Sequence, residues 1–310
     1  MCFKGGLRTT NNTMKRERIF KGAGLASLIA GAIALSSCGK KEETEQVLRF
    51  SAIPDQDTTA QAERYAPAAK WLSEKLGVKV EFVPSSDYDA SVAKFETGDI
   101  QLAWFGGVSG VRARDAVAGS RALVAGEKDL AFKSYFIANT STGLTKGDDF
   151  PTGLKGLTFT FGSAGSTSGC IMPAHFVVQN TNTGPLDYFA KGKVGFSGAH
   201  DKTALQVQDG TYQAGAMNFS TYDGMVADGR IDPKKCRVIW ETPTYADYNF
   251  TASGELDKTF GEGFTDKLQK ALLECDDPAV LKAFDREKFV KVENSTFQGI
   301  ADVMKSVKLK

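Results

Sequence analysis

The run Phe161-Gly162-Ser163-Ala164-Gly165-Ser166-Thr167-Ser168-Gly169 is the most informative stretch of this chain. Its small residues let the backbone approach a ligand closely, and three hydroxyls stand where a helix should begin. Hydroxyls and unpaired first-turn N–H groups pointing one way suit a compact oxyanion. No Gly-Lys-Ser/Thr follows, so the run is not a nucleotide-binding P-loop. Thr167 sits at the centre of Gly165-Ser166-Thr167-Ser168-Gly169, so it is not a nucleophile elbow either. Taken alone, the run serves equally as a Ser/Gly-rich turn with a helix cap.

Other chemistry is sparse. The two histidines, His175 and His200, are too few for a His-rich metal site. Five cysteines without a CxxC pair argue against a zinc ribbon or a thioredoxin-type motif. Neither a metal nor a cofactor is expected. A hydrolase using Ser166 or Ser168 would need a base and an orienting group, and no signature supplies them, since His200 lies in a different motif.

The elements that must position these groups alternate strand and helix. Strands are expected at 47–54, 78–84, 100–106 and 121–126, with helices at 59–76 and 87–98. The theme restarts with strands at 157–162, 193–198, 211–218 and 237–243 and helices at 171–179, 202–208 and 222–227. The segment 254–306 reads as amphipathic helices. Such alternation implies α/β architecture, with mostly parallel sheets and helices on both faces. Two stretches, 134–142 and 239–250, read as hinge crossings. The lobes are then 47–138 plus 247–310, and 139–246, with a cleft that ligand closes.

The N-terminus reads as an address. Residues 1–37 end in a signal segment whose better start is Met14, and a basic stretch precedes an apolar run too short for a confident transmembrane span. Leu35-Ser36-Ser37-Cys38 resembles a bacterial lipobox, which would make Cys38 the lipidated first residue and 38–46 a polar tether. Residues 1–37 carry Lys4, Arg8, Lys15, Arg16, Arg18 and Lys21 against Glu17 alone, so their loss leaves a net acidic chain. A bound anion must then be held by local donors, not by a global positive field. Cys170, Cys236 and Cys275 remain, enough for one disulfide of undetermined pairing.

Composition sets the outer bounds. The chain has 310 residues, 42% hydrophobic and 24% charged, with 38 basic against 37 acidic residues. That balance fits a water-soluble globular body and gives no reason to expect a nucleic-acid partner.

Beyond the loop, the match to a known family is specific. Asp87-Tyr88, the AWFGG run at 103–107, Lys133-Ser134-Tyr135, Ser166-Thr167-Ser168-Gly169, Gly198-Ala199-His200, the run ending at Phe219 and Tyr245–Asn249 together resemble the periplasmic phosphate/phosphite/phosphonate-binding proteins of ABC transporters. The resemblance implies a type II periplasmic binding protein: two Rossmann-like α/β lobes, a two-strand hinge, and the ligand in the cleft. It implies a monomer serving a permease and ATPase, tied to the membrane only by its lipid. It also implies roles. Ser166, Thr167 and Ser168 would donate hydroxyl and backbone hydrogen bonds, and Tyr88 and Tyr135 would donate phenolic O–H groups from the other lobe. His200 would contact a ligand oxygen, and Asp247 would accept from a protonated one. Trp104, Asn218, Tyr222 and Tyr245 are further candidates near the site.

One departure narrows the ligand. Aminoalkylphosphonate binders of the family place a carboxylate about twenty residues after the histidine, whereas Met217–Tyr222 holds none before Asp223. A buried ammonium without a counter-charge is costly, so phosphite, phosphate or methylphosphonate is expected. The chain also resembles a branch assigned to selenate. Selenate and sulfate carry no proton near neutral pH, so a carboxylate at Asp247 favours phosphorus. A ligand-presenting sensor subunit would look the same in sequence.

Overall fold

A computed structural model describes residues 46–57 and 59–307. The expected signal segment, Met14, Cys38 and all of the tether but Gln46 lie outside these residues. The described residues all belong to one compact unit.

The strands are β1 (Val47–Ala52), β2 (Lys79–Phe82), β3 (Leu102–Phe105), β4 (Arg121–Gly126), β5 (Ser134–Asn139), β6 (Phe159–Phe161), β7 (Val194–Phe196), β8 (Ala214–Asn218), β9 (Cys236–Glu241), β10 (Asn249–Ala252) and β11 (Phe289–Lys291). They form two sheets, ordered β11-β4-β10-β3-β1-β2 and β7-β6-β8-β5-β9. Helices follow the strands where apolar residues recur at helical spacing. Gln61–Leu76, for example, buries Tyr65, Ala68, Leu72 and Leu76, and stops at Gly77 (φ 72°), whose N–H bonds Ser73 O.

The sheets are mixed rather than mostly parallel. β1–β2, β1–β3, β6–β7 and β6–β8 are parallel, as βαβ units require. β10 runs antiparallel to β3 and β4, and β5 antiparallel to β8 and β9. The reason is topological: each strand that follows a crossing enters the other sheet against its neighbours. β11, also antiparallel to β4, interrupts the C-terminal region expected to be all helix.

This corrects the first lobe boundary. Residues 134–138 were expected in the first lobe, yet Tyr135 pairs with Met217 and Glu241 of the second sheet. The crossings are therefore the segments 127–133 and 242–248, between β4 and β5 and between β9 and β10. They pair with each other: Phe132 N–H donates to Tyr245 O and Tyr245 N–H to Phe132 O, both 2.9 Å. Asp247 N–H adds a bond to Asp129 O at 3.0 Å.

Each sheet has its own core. Phe50, Tyr65, Trp104, Phe105 and Phe250 fill the first; Phe136, Phe159, Phe161 and Trp240 fill the second. Val108, Val111 and Ile300 join the second cluster, so the helix Gln298–Ser306 packs at the junction of the lobes. Cys170, Cys236 and Cys275 are all buried free thiols, so the disulfide is not formed.

Candidate functional site

Polar groups converge where parallel strands of both sheets end, the place at which open α/β sheets bind ligands. From the first lobe come Asp55 after β1, Tyr88 after β2 and Gly106-Gly107 after β3. From the second come the 163–169 loop after β6, His200 after β7 and Asn218 closing β8.

The Ser-Thr-Ser loop opens as a π turn, Thr167–Ile171, ahead of the helix Met172–Thr181. Ser166 Oγ accepts from Gly169 N–H at 3.0 Å, which makes it the N-cap. Thr167 Oγ1 accepts from Val108 N–H of the first lobe at 3.0 Å. Burial holds the Tyr88 phenol well above its usual range, and the Ser166 hydroxyl across the cleft acts in the opposite sense. Ser166, Thr167, Ser168 and Tyr88 are all buried.

Glycine is required here for space. A Cβ on Gly106 would lie 3.1 Å from both Asp247 Oδ1 and Thr167 Oγ1, and one on Gly169 would lie 3.0 Å from His200 Cε1.

His200 opens the helix His200–Gln208 and is 1% exposed. Its Nδ1 accepts from Asn218 N–H at 3.3 Å, which leaves the proton on Nε2. Burial depresses the imidazole to about 4, so the ring is a neutral donor. Asp247, also 1% exposed, stands on the second crossing. Its Oδ1 accepts from Gly107 N–H at 2.9 Å, and that bond and the nearby Thr167 and Ser168 hydroxyls favour the ionised carboxylate. Burial still pushes the carboxyl up to about 7, outweighing those donors. His200 Nε2 and Asp247 Oδ2 are both buried without a hydrogen-bond partner. One is a donor and the other an acceptor, and buried polar atoms left unpaired are rare in folded proteins.

Two expected residues are not brought to this site. Tyr135 belongs to the same lobe as the Ser-Thr-Ser loop, and its O–H donates to Asp223 at 3.3 Å. Alternation along β5 explains this: Ser134 Oγ points to Ser168 O at 2.7 Å, so Tyr135 faces the other side. There it packs against Tyr222, whose O–H donates to Cys236 O at 2.7 Å. Tyr245 bonds Ser134 at the edge of the site. Trp104 stacks on Tyr248, ring centroids 5.8 Å apart, and Asn218 braces His200 through its backbone. Asp55 and the Gly107 and Val108 N–H groups were missed. Their signal was position alone, at the carboxyl ends of β1 and β3.

Two α/β lobes, a paired two-strand hinge and a buried polar cleft define a type II periplasmic binding protein. The chain belongs to the phosphonate periplasmic substrate-binding protein family of ABC transporters, whose profile matches residues 50–297. That membership makes it an extracytoplasmic ligand carrier for a permease and its ATPase, not an enzyme. It is 36% identical over 265 residues to a probable phosphite-binding ABC transporter protein, PhnD1, of Prochlorococcus marinus, covering 83% of this chain and 89% of that one. It is 29% identical to a phosphate-import protein, PhnD, of Mycolicibacterium smegmatis, covering 88% and 85%. Among solved structures, PhnD1 of P. marinus in complex with methylphosphonate superposes with a TM-score of 0.79 at 35% identity, covering 84% and 97%. A binding protein component of an ABC phosphonate transporter from Pseudomonas aeruginosa, at 19% identity and TM-score 0.72, shares the fold.

Proposed function

We propose that this protein binds a small tetrahedral phosphorus oxyanion bearing an exchangeable proton and no amine: phosphite, phosphate or methylphosphonate. The observation that carries this reading is the pair of buried, unpartnered atoms of opposite polarity, His200 Nε2 and Asp247 Oδ2. A neutral imidazole N–H donates to a ligand oxygen, and the Asp247 carboxylate accepts from a P–OH. Tyr88 and the hydroxyls and backbone of Ser166–Ser168 supply the remaining donors. Selenate and sulfate offer Asp247 no proton and would meet its charge as repulsion.

Asp247 apart, the carboxylates that could meet an aminoalkyl substituent are engaged. Asp223 is engaged by Tyr135, and Asp55 by Tyr248 and, at 3.9 Å, by Arg64. The names of the relatives, phosphite-binding and phosphate-import, and the methylphosphonate complex support the same class. We further propose that the protein acts as a monomer, held at the membrane by lipid on Cys38, and that ligand closes the hinge.

The test is calorimetric titration of protein from residue 39 onward, purified free of phosphate, with phosphite, phosphate, methylphosphonate, aminoethylphosphonate, sulfate and selenate. Tight binding of phosphorus oxyanions without an amine is expected. Preference for selenate or sulfate would overturn the role given to Asp247.

A further inference from the structure

A second set of buried polar bonds spans the cleft beside the oxyanion groups, and each side-chain atom in it has a protein partner. Tyr248 lies just ahead of β10 in the first lobe, Asp55 after β1 in the same lobe, and Asn218 at the end of β8 in the second. Tyr248 O–H donates to Asp55 Oδ2 at 2.9 Å and accepts from Asn218 Nδ2 at 3.1 Å. The other amide atom of Asn218, Oδ1, accepts from Thr221 N–H at 2.6 Å and caps the helix Phe219–Ala227. Asp55 also reaches across with its backbone: its O accepts from His200 N–H at 2.9 Å. All three residues are buried, Asn218 to 2% and Tyr248 to 3% exposure.

The contrast with the neighbouring groups is what makes this a distinct device. His200 Nε2 and Asp247 Oδ2 have spare hydrogen-bonding capacity, whereas Tyr248 O–H both donates and accepts, and both amide atoms of Asn218 are used. The bonds from Asn218 to Tyr248 and from His200 to Asp55 join opposite lobes, so they oppose hinge opening. We propose that Asp55, Tyr248 and Asn218 form a ligand-independent clasp that sets how readily the cleft closes. A clasp scales every affinity by one factor, because it acts on the open–closed equilibrium and not on the ligand. It also holds the His200 backbone in place, so the donor is positioned before the anion arrives.

The clasp rests on the oxyanion reading only for its probes. Tyr248→Phe deletes the hydroxyl that joins Asp55 to Asn218 while keeping the ring stacked on Trp104. Asn218→Ser removes the cross-lobe donor while keeping a helix-capping oxygen. Titrating each variant with phosphite, phosphate and methylphosphonate should show Kd raised about tenfold, by the same factor for each anion, through faster dissociation. The two substitutions together should cost less than the product of the singles, because they remove one shared bond. Thermal unfolding of the ligand-free variants reports whether the lobes themselves remain folded. Small-angle scattering without ligand should show Tyr248→Phe more expanded than wild type.

An unchanged Kd in Tyr248→Phe would overturn the clasp. So would a change in the ratio of affinities among the anions, which would make Tyr248 a recognition residue. If wild type binds none of the anions, the oxyanion reading fails. The scattering comparison then decides the clasp by itself, and equal dimensions for the two proteins would overturn it.

Discussion

Replacing Asp247 by Asn tests the central chemical claim, because the exchange is nearly isosteric and changes only proton traffic. Asp247 Oδ1 already accepts from Gly107 N–H, and an Asn oxygen can keep that bond. The other atom changes from a carboxylate oxygen to an NH₂, which opposes an incoming P–OH. With its carboxyl pushed up to about 7, free Asp247 is largely ionised at pH 8. A P–OH donating to that anion makes a charge-assisted hydrogen bond worth about 1.5–3 kcal/mol. Losing it should raise the Kd for phosphite by about ten- to a hundredfold at pH 8. Selenate, relieved of the facing charge, should bind no more weakly than before. The proton gives a second readout. At pH 8 the wild-type complex keeps a proton that its separated partners have largely shed, so titration in buffers of different protonation heat should show uptake. Asp247→Asn should show less. Equal losses for phosphite and selenate, or identical proton uptake in the two proteins, would refute the reasoning and leave Asp247 as a hinge residue.

Three further outcomes follow from the same geometry. His200→Ala and Ser168→Ala should each weaken oxyanion binding at least about tenfold while thermal unfolding stays cooperative, each removing a buried donor; wild-type affinity in both would put the site elsewhere. Acid stability should split between variants. His200, depressed from 6.5 to about 4, loses stability as pH falls from 6.5 through about 4, whereas Asp247, raised from 3.8 to about 7, loses it as pH rises from 3.8 through about 7. Ligand-free Asp247→Asn should therefore fall in Tm on acidification from pH 7 to 4 more steeply than His200→Ala, and parallel curves would contradict the buried placement of both. Arg286→Ala should destabilise the protein by about 3–5 kcal/mol in denaturant unfolding, since it strands the buried Asp129 carboxylate, held bidentate at 2.6 Å. A cost below about 1 kcal/mol, typical of an exposed pair, would argue against that burial.

The local motifs were legible because their chemistry is local. The Ser-Thr-Ser loop caps its own helix, and His200 follows a short strand at a helix start, so neighbouring residues in sequence are neighbours in space. The hinge was not legible in this way. An apolar run such as 134–139 reads alike in either sheet, and only its choice of distant partners, Asn218 to Ala214 and Cys236 to Glu241, assigns it. Tyr135 was misplaced for the same reason. Its face follows from the register that turns Ser134 toward Ser168, and register depends on strands about eighty and a hundred residues away. Asp55 escaped notice because an Asp after Pro54 looks like an ordinary turn. Its role appears only when the two lobes meet.

The converging groups explain how an anion is bound without a cation. Hydroxyls, backbone N–H groups and a neutral imidazole face the cleft, and none of the groups that meet there is a lysine or arginine. The arginines that approach are already matched. Arg286 is locked to Asp129 and packed against Trp104, Phe132 and Tyr248, and Arg64 lies 3.9 Å from Asp55. A bare charge in this buried space would be costly when the cleft is empty, and fixed dipoles cost less. With net charge removed as a criterion, discrimination on the proposed reading falls to whether a ligand oxygen carries a proton, the role proposed for Asp247. Asp247 is on the second crossing, and its N–H bonds Asp129 O on the first, so both hinge strands bear on the carboxylate. Its Oδ1 bonds Gly107 N–H, and the Thr167 and Ser168 hydroxyls lie close to the same group, so in this closed form it meets both lobes. On the proposed reading, the residue that would test the ligand for a proton is thus built into the joint that closes on it, and an anion that fails the test would also weaken the closure.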